Sequence, residues 1–102
     1  MSNKTRIEKD SIGEITVPEK ALYGAQTARS MINFAIGSER MPTEVIQAMT
    51  ILKASAAEVN NQLGKLEKTR YELIIRATDH ILTHDMSAHF PLKVWQTGSG
   101  TQ

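Results

Sequence analysis

Between Thr43 and Leu63 the apolar residues Val45, Met49, Leu52, Ala56, Val59 and Leu63 recur at spacings of four, three, four, three and four. That alternation puts all six on one stripe of an α-helix and is incompatible with the period of two that a strand needs. The stripe has the spacing of a heptad seam and reads as a packing face. Small residues at Ala48, Ser55 and Ala57 allow a second helix to approach closely. Thr43 stands where a cap is expected, Glu44 falls in the first turn where the helix dipole favours an acid, and Gly64 suits the left-handed position just past the last turn. A second periodic run, Glu67 to Thr83, places Tyr71, Ile74, Ala77, Thr78, Ile81 and Leu82 on one side. The link Gly64-Lys65-Leu66 is too short for anything but an antiparallel helical hairpin. Core packing accounts for both stripes without any appeal to chemistry.

Upstream, a shorter helix is expected over residues 25–34, with Ala28, Met31, Ile32 and Phe34 as its apolar face and Tyr23-Gly24 as the turn leading into it. Ahead of that helix, Ile15 and Val17 alternate with Glu14 and Thr16 until Pro18 ends the run. Two readings fit the segment Arg6 to Pro18. One is a pair of short strands in a loose hairpin about Ser11-Ile12-Gly13, and the other is an irregular arm pinned by Ile7, Ile12 and Val17. The fold class is therefore mainly α, with a short N-terminal β-hairpin or extended arm followed by a small helical domain containing an antiparallel helical hairpin. A chain of 102 residues buries only about two thirds of its unfolded surface, so the core is modest. No repeat or Pro/Gly/Ser-rich linker marks a boundary inside it.

Composition removes several function classes. The formal charge of +1 comes from mixed signs without a like-charge block, so no nucleic-acid surface and no membrane-surface helix is indicated. No run of 18 apolar residues exists to span a bilayer, and the polar start Met1-Ser2-Asn3-Lys4-Thr5-Arg6 is not a secretory signal. The absence of Cys excludes disulfides, thiolate nucleophiles and Cys-based metal sites, and makes the cytoplasm the default compartment.

Among candidate chemical groups, His80 and His84 share a helix face, the i, i+4 spacing used by metal ligands, with Asp79, Asp85 and His89 close in sequence. The run lacks the Glu of a zincin motif, and histidines near a helix C-terminus also serve its last carbonyls and dipole; no metal site is assigned. Arg29 offers a cation for an anion site or, more plainly, a partner for a neighbouring carboxylate or carbonyl. The most suggestive stretch is Trp95-Gln96-Thr97-Gly98-Ser99-Gly100-Thr101-Gln102. Its glycines let backbone N–H groups approach a ligand, and its hydroxyls add donors, which together make a cradle for a carboxylate or phosphate. Pro91, Val94 and Trp95 argue that the loop is anchored to a core and is not a loose tail. Neither a Walker loop nor a dinucleotide fingerprint is present.

Gly24-Ala25-Gln26-Thr27 with Arg29, then Asn33-Phe34, Met41-Pro42, and above all Phe90-Pro91-Leu92 leading into Trp95 to Gln102, resemble the amino-terminal region of class II fumarate hydratase, in the fumarase/aspartase superfamily. The resemblance covers essentially the whole chain. Aspartase is similar in the first half, but its glycine loop reads Gly-Gly-Ala-Gly where this chain has Thr97-Gly98-Ser99-Gly100. The resemblance implies reversible hydration of fumarate to L-malate, a step of the tricarboxylic acid cycle, without a metal or organic cofactor. It assigns substrate-carboxylate binding to Ser99, Gly100 and Thr101. It places the catalytic residues outside these 102 positions, in a long helical domain that builds a homotetramer, so the chain is expected to be the amino-terminal domain, residues 1–102, truncated before the central bundle and inactive alone. The competing readings are aspartase or another superfamily lyase, and a non-catalytic helical interaction module.

Overall fold

The computed structural model describes residues 4–100. The element order is β1 (Thr5–Lys9), β2 (Glu14–Pro18), α1 (Ala25–Asn33), α2 (Thr43–Gln62), α3 (Lys68–Thr83) and a single 3-10 turn, Ser87–His89. Two compact units result. One takes in the chain up to Met41 together with the segment from Ser87 onward, and the other is Pro42–Met86.

In the first unit, β1 and β2 pair antiparallel in the register Thr5 with Pro18 through Lys9 with Glu14, so of the two readings of this arm the hairpin is the one that forms. Alternation works as expected: Val17 is fully buried while its neighbours Thr16 and Pro18 face outward. The turn is built by Asp10. Its backbone exchanges hydrogen bonds with Gly13 at 3.1 and 3.2 Å, and its carboxylate Oδ1 accepts from the N–H groups of Ile12 and Gly13 at 3.0 and 3.2 Å. Gly13 has φ +141°, a conformation that side-chain-bearing residues avoid.

The other carboxylate oxygen ties the hairpin to α1. Asp10 Oδ2 accepts from Gln26 Nε2 at 2.7 Å and from Arg29 Nε at 2.8 Å, and Arg29 also donates to the Gly13 carbonyl at 2.9 Å. Arg29 is thus a structural partner of a carboxylate and a carbonyl. The guanidinium beside it holds the Asp10 carboxyl down at about 2, helped by the Ile12 and Gly13 N–H groups and opposed by partial desolvation.

Arg6 organises the loop between β2 and α1. Besides its ion pair with Glu8 at 3.0 Å, it donates to the carbonyls of Pro18, Glu19, Ala21 and Tyr23 at 2.7–3.0 Å. Helix α1 starts after Gly24 and buries Ala25, Ala28 and Ser30. Its inner face is narrower than the expected one: Ala28 and Phe34 turn inward, but Met31 and Ile32 are 39% and 70% exposed. Small side chains at the inner positions bring the helix close to β2, and the larger ones remain outside.

The second unit is the expected hairpin of α2 and α3, joined by a turn whose hydrogen bonds follow the Schellman pattern. Gly64 N–H reaches the Asn61 carbonyl at 3.0 Å, Lys65 N–H reaches that of Asn60 at 2.8 Å, and Gly64 takes φ +73°. The N-terminal cap position of α2 is Pro42, not Thr43, which is instead the first helical residue, and no side chain caps the end. A proline fits there because its fixed φ and missing N–H cost nothing before the first turn.

The face of α2 that packs is also different. Ile46, Thr50, Ala54, Ala57 and Asn61 turn inward, with Thr50 and Ala57 buried, while Val45, Met49, Leu52, Val59 and Leu63 are 42–63% exposed. The expected seam lies outside, and the contact with α3 uses the stripe beside it, which includes the small side chains of Thr50, Ala54 and Ala57. In α3 the inward set is Tyr71, Ile74, Ile75, Thr78 and Ile81, close to the expected stripe, with Ala77 and Leu82 toward solvent. The buried hydroxyls of Thr50 and Thr78 are satisfied by the Ile46 and Ile75 carbonyls at 2.7 and 2.9 Å. No helix among the described residues is long and apolar enough to cross a membrane.

Candidate functional site

The glycine loop is reached through a segment that is firmly held. At the end of the 3-10 turn, His89 Nδ1 accepts from the Leu22 N–H at 3.2 Å, and beyond it Pro91 and Leu92 are buried. Residues 92–94 then run antiparallel to residues 39–41. Arg40 and Lys93 form the bridge, with Met41 N–H to the Leu92 carbonyl at 3.0 Å and Val94 N–H to the Glu39 carbonyl at 2.9 Å. Lys93 Nζ donates to the Gly37 carbonyl at 2.7 Å.

Trp95 packs against Gly37. A Cβ at that glycine would stand 3.1 Å from Trp95 Cδ1 and 2.8 Å from a Glu39 carboxylate oxygen, and the backbone there has φ +73°, so both space and conformation require glycine. The anchor is nonetheless Pro91 and Leu92 more than Val94 and Trp95, which are 39% and 62% exposed.

Beyond this anchor the chain turns. Ser99 N–H approaches Thr97 Oγ1 at 3.4 Å, the two hydroxyl oxygens are 2.8 Å apart, and Gly100 has φ +80°. Thr97, Gly98, Ser99 and Gly100 are all exposed. Ser99 and Gly100 therefore sit together on one solvent-facing turn; Thr101, the third residue assigned to substrate binding, lies outside the described residues. A serine hydroxyl beside a left-handed glycine is an arrangement in which side-chain and backbone donors can address the same anion.

His80 and His84 are at the end of α3 in the other unit. Their rings stack with centroids 3.9 Å apart and 18° between planes, and His84 Nδ1 lies 3.1 Å from the His80 carbonyl and 3.0 Å from Thr83 Oγ1. Ring faces meet, and Nδ1 of His84 serves the helix end. Among the described residues no group of three or more His, Asp or Glu side chains is placed to hold a metal ion.

A second feature of the first unit had no signature in the sequence. A cleft of about 130 Å³ is lined by Ser30, Met31, Phe34, Ala35, Arg40, Pro91, Lys93 and Gln96. It forms where α1 meets the paired segments 39–41 and 92–94. That pairing joins residues more than fifty positions apart, which no local periodicity announces.

The family profile described as Lyase matches residues 13–102, and the chain belongs to that lyase family. Curated relatives agree: the class II fumarate hydratase of Oceanobacillus iheyensis is 56% identical over 97 residues, covering 95% of this chain and 21% of that protein. The fold of the class II fumarase from Schistosoma mansoni superposes with a TM-score of 0.91 at 37% identity over 96% of this chain and 21% of that one. A fumarate lyase:delta crystallin structure from Brucella melitensis gives 0.87 at 33% identity, covering 96% and 22%. The resemblance and the fold class read from the sequence are borne out, with the hairpin and the three helices in place. The chain spans about a fifth of the length of the curated relatives it matches.

Proposed function

We propose that the chain is the amino-terminal domain of a class II fumarate hydratase and supplies one wall of its substrate pocket, the turn of Ser99, Gly100 and Thr101. The full enzyme interconverts fumarate and L-malate, works in the tricarboxylic acid cycle in the cytoplasm, and assembles as a homotetramer. The observation that carries the reading is the anchored, exposed turn in which Thr97 and Ser99 hydroxyls meet beside Gly100, within a chain whose named relatives are fumarate hydratases.

The chemistry of that reaction needs such a turn. In the direction of fumarate, a base removes a proton from the carbon beside a carboxylate, and the electron pair moves onto the carboxylate oxygens. Donors fixed at those oxygens gain strength as charge accumulates, so they stabilise the transition state more than bound malate. Ser99 would donate its hydroxyl and Gly100 its N–H, both from backbone already committed to the turn. In this reading the turn supplies donors only, the base belongs to another part of the full enzyme, and the 102-residue chain is inactive by itself.

The test is a chimaera in which this chain replaces the matching segment of the Oceanobacillus iheyensis enzyme. The chimaera should hydrate fumarate, while the isolated chain should show no turnover. Within it, Ser99→Ala or Thr101→Val should each lower kcat/KM by about 1–3 kcal/mol of transition-state stabilisation, roughly 5- to 150-fold, the scale of one donor in such a site. Unchanged kinetics for both variants would remove the assignment.

A further inference from the structure

Thr97 is not among the residues assigned to the substrate, yet it stands two positions before Ser99 and touches it twice. Its Oγ1 is 2.8 Å from Ser99 Oγ, the usual length of an O–H···O hydrogen bond, and it receives the Ser99 N–H in a longer contact of 3.4 Å. The second contact is that of a Ser/Thr turn, in which a hydroxyl oxygen folds back onto the N–H two residues on. It holds the Thr97 oxygen beside the residue whose hydroxyl it meets. Branching at Cβ further restricts χ1 of Thr97.

Counting protons decides which hydroxyl donates when a ligand is bound. Each has one proton to give and two positions at which to accept. Before a ligand arrives, either oxygen of the pair can be the donor. An ionised carboxylate only accepts, so a Ser99 that holds one has given its proton to it. The 2.8 Å contact then persists only with Thr97 as donor. The order becomes Thr97 O–H to Ser99 O–H to carboxylate. Accepting a hydrogen bond polarises the Ser99 hydroxyl and makes it a stronger donor. It also fills one acceptor position on Ser99 Oγ, which narrows the directions its proton can take.

We propose that Thr97 is a positioning residue for the hydration of fumarate: it contacts Ser99, not the substrate, and strengthens Ser99 as the donor to the carboxylate on which charge accumulates. The proposal rests on the reading of Ser99 as a carboxylate donor and adds a residue that acts through it. Because the charge on that carboxylate is greatest in the transition state, the effect of Thr97 falls on kcat more than on KM.

The test is a double-mutant cycle on fumarate hydration by the chimaera. Thr97→Val keeps the branched shape and removes the hydroxyl, and it should lower kcat about three- to tenfold with KM changed less than about twofold. Thr97→Ser supplies a hydroxyl again and should bring kcat to within about twofold of the unsubstituted chimaera. In the Ser99→Ala background, Thr97→Val should cost less than about 1.5-fold more, because the group it acts through is gone. A loss of the same size in both backgrounds would mean that Thr97 meets the substrate itself or only shapes the turn, and would overturn the proposal. So would a loss carried by KM alone, or a Thr97→Ser as impaired as Thr97→Val. Impaired Ser99→Ala beside an unaffected Thr97→Val removes the proposal and leaves the site reading standing, whereas an unaffected Ser99→Ala removes both. The hydroxyl contact has its own check in the 102-residue chain, where α–β proton couplings should give Ser99 one χ1 rotamer in the unsubstituted and Thr97→Ser forms and rotamer averaging in Thr97→Val. Averaging already present in the unsubstituted chain would remove the geometric basis.

Discussion

The two units of this chain hold themselves together by different physics. The unit of the hairpin, α1 and the glycine loop buries few large side chains, with Val17 the only one fully enclosed among the described residues, and depends on two polar hubs, Asp10 with Arg29 and Arg6 with the loop carbonyls. The α2–α3 unit has no such hub; its ion pairs, Lys68 with Glu72 and Arg70 with Glu67, are exposed and contribute little. It is held by a thin apolar contact centred on Ala57 and by a well-formed turn at Gly64. Side-chain bonding that fixes a loop therefore serves the unit that presents a loop, and generic helix packing suffices for the unit that presents none.

Acid should separate the two most sharply. The Asp10 carboxyl is held at about 2 against an ordinary 3.8, so the stability it gives is complete above pH 3.8, declines as pH falls and is lost once pH passes below about 2. Amide signals of residues 10–13 and of α1 should lose protection over that window before those of the α2–α3 turn do. Arg29→Gln should produce the same pattern at neutral pH; simultaneous loss in both units would break the comparison.

Arg6→Ala comes next, at about 2–3 kcal/mol, since it strips partners from several carbonyls at once although some of these bonds face solvent. Chemical denaturation followed by signals from each unit should show the loss in the hairpin unit first. In the helical unit Ala57→Leu should cost about 1–2 kcal/mol by overpacking a position that is 5% exposed, read from the denaturation midpoint of α2–α3 signals. The smallest effect is the most informative about which face of α2 packs. Leu52→Gln, at 59% exposure, should change stability by no more than about 0.5 kcal/mol, and a cost of 2 kcal/mol would restore the heptad stripe as the packed face.

That last contrast shows what a sequence does and does not disclose. Helical type, the hairpin of α2 and α3 and the role of Gly64 were legible because each depends on spacing or on one residue's backbone freedom. Which stripe faces inward was not, since α2 carries two: the row of Val, Met and Leu is more conspicuous, but the neighbouring row, with the small Thr50, Ala54 and Ala57, lets α3 come closer. The β-hairpin was only one of two readings because its decisive contacts, Asp10 with Gln26 and Arg29, span 16 and 19 positions. At the candidate site the glycine turn was evident from residue types, whereas the anchoring of its root was not, because it depends on residues 39–41 pairing with 92–94, more than fifty positions away.

The grip of Arg6 on the loop from Pro18 to Tyr23 has a consequence for what this protein tolerates. A guanidinium that recognises carbonyl oxygens is reading atoms that every amino acid supplies, so the loop's shape is independent of its own spelling. Lys20 and Leu22, the latter 68% exposed, can be exchanged for most other residues with the path of the chain preserved. Arg6 itself has no such latitude. Lysine keeps the charge but cannot reach several oxygens with a planar fork, so one position six residues into the chain carries the constraint for a whole segment whose letters are otherwise open.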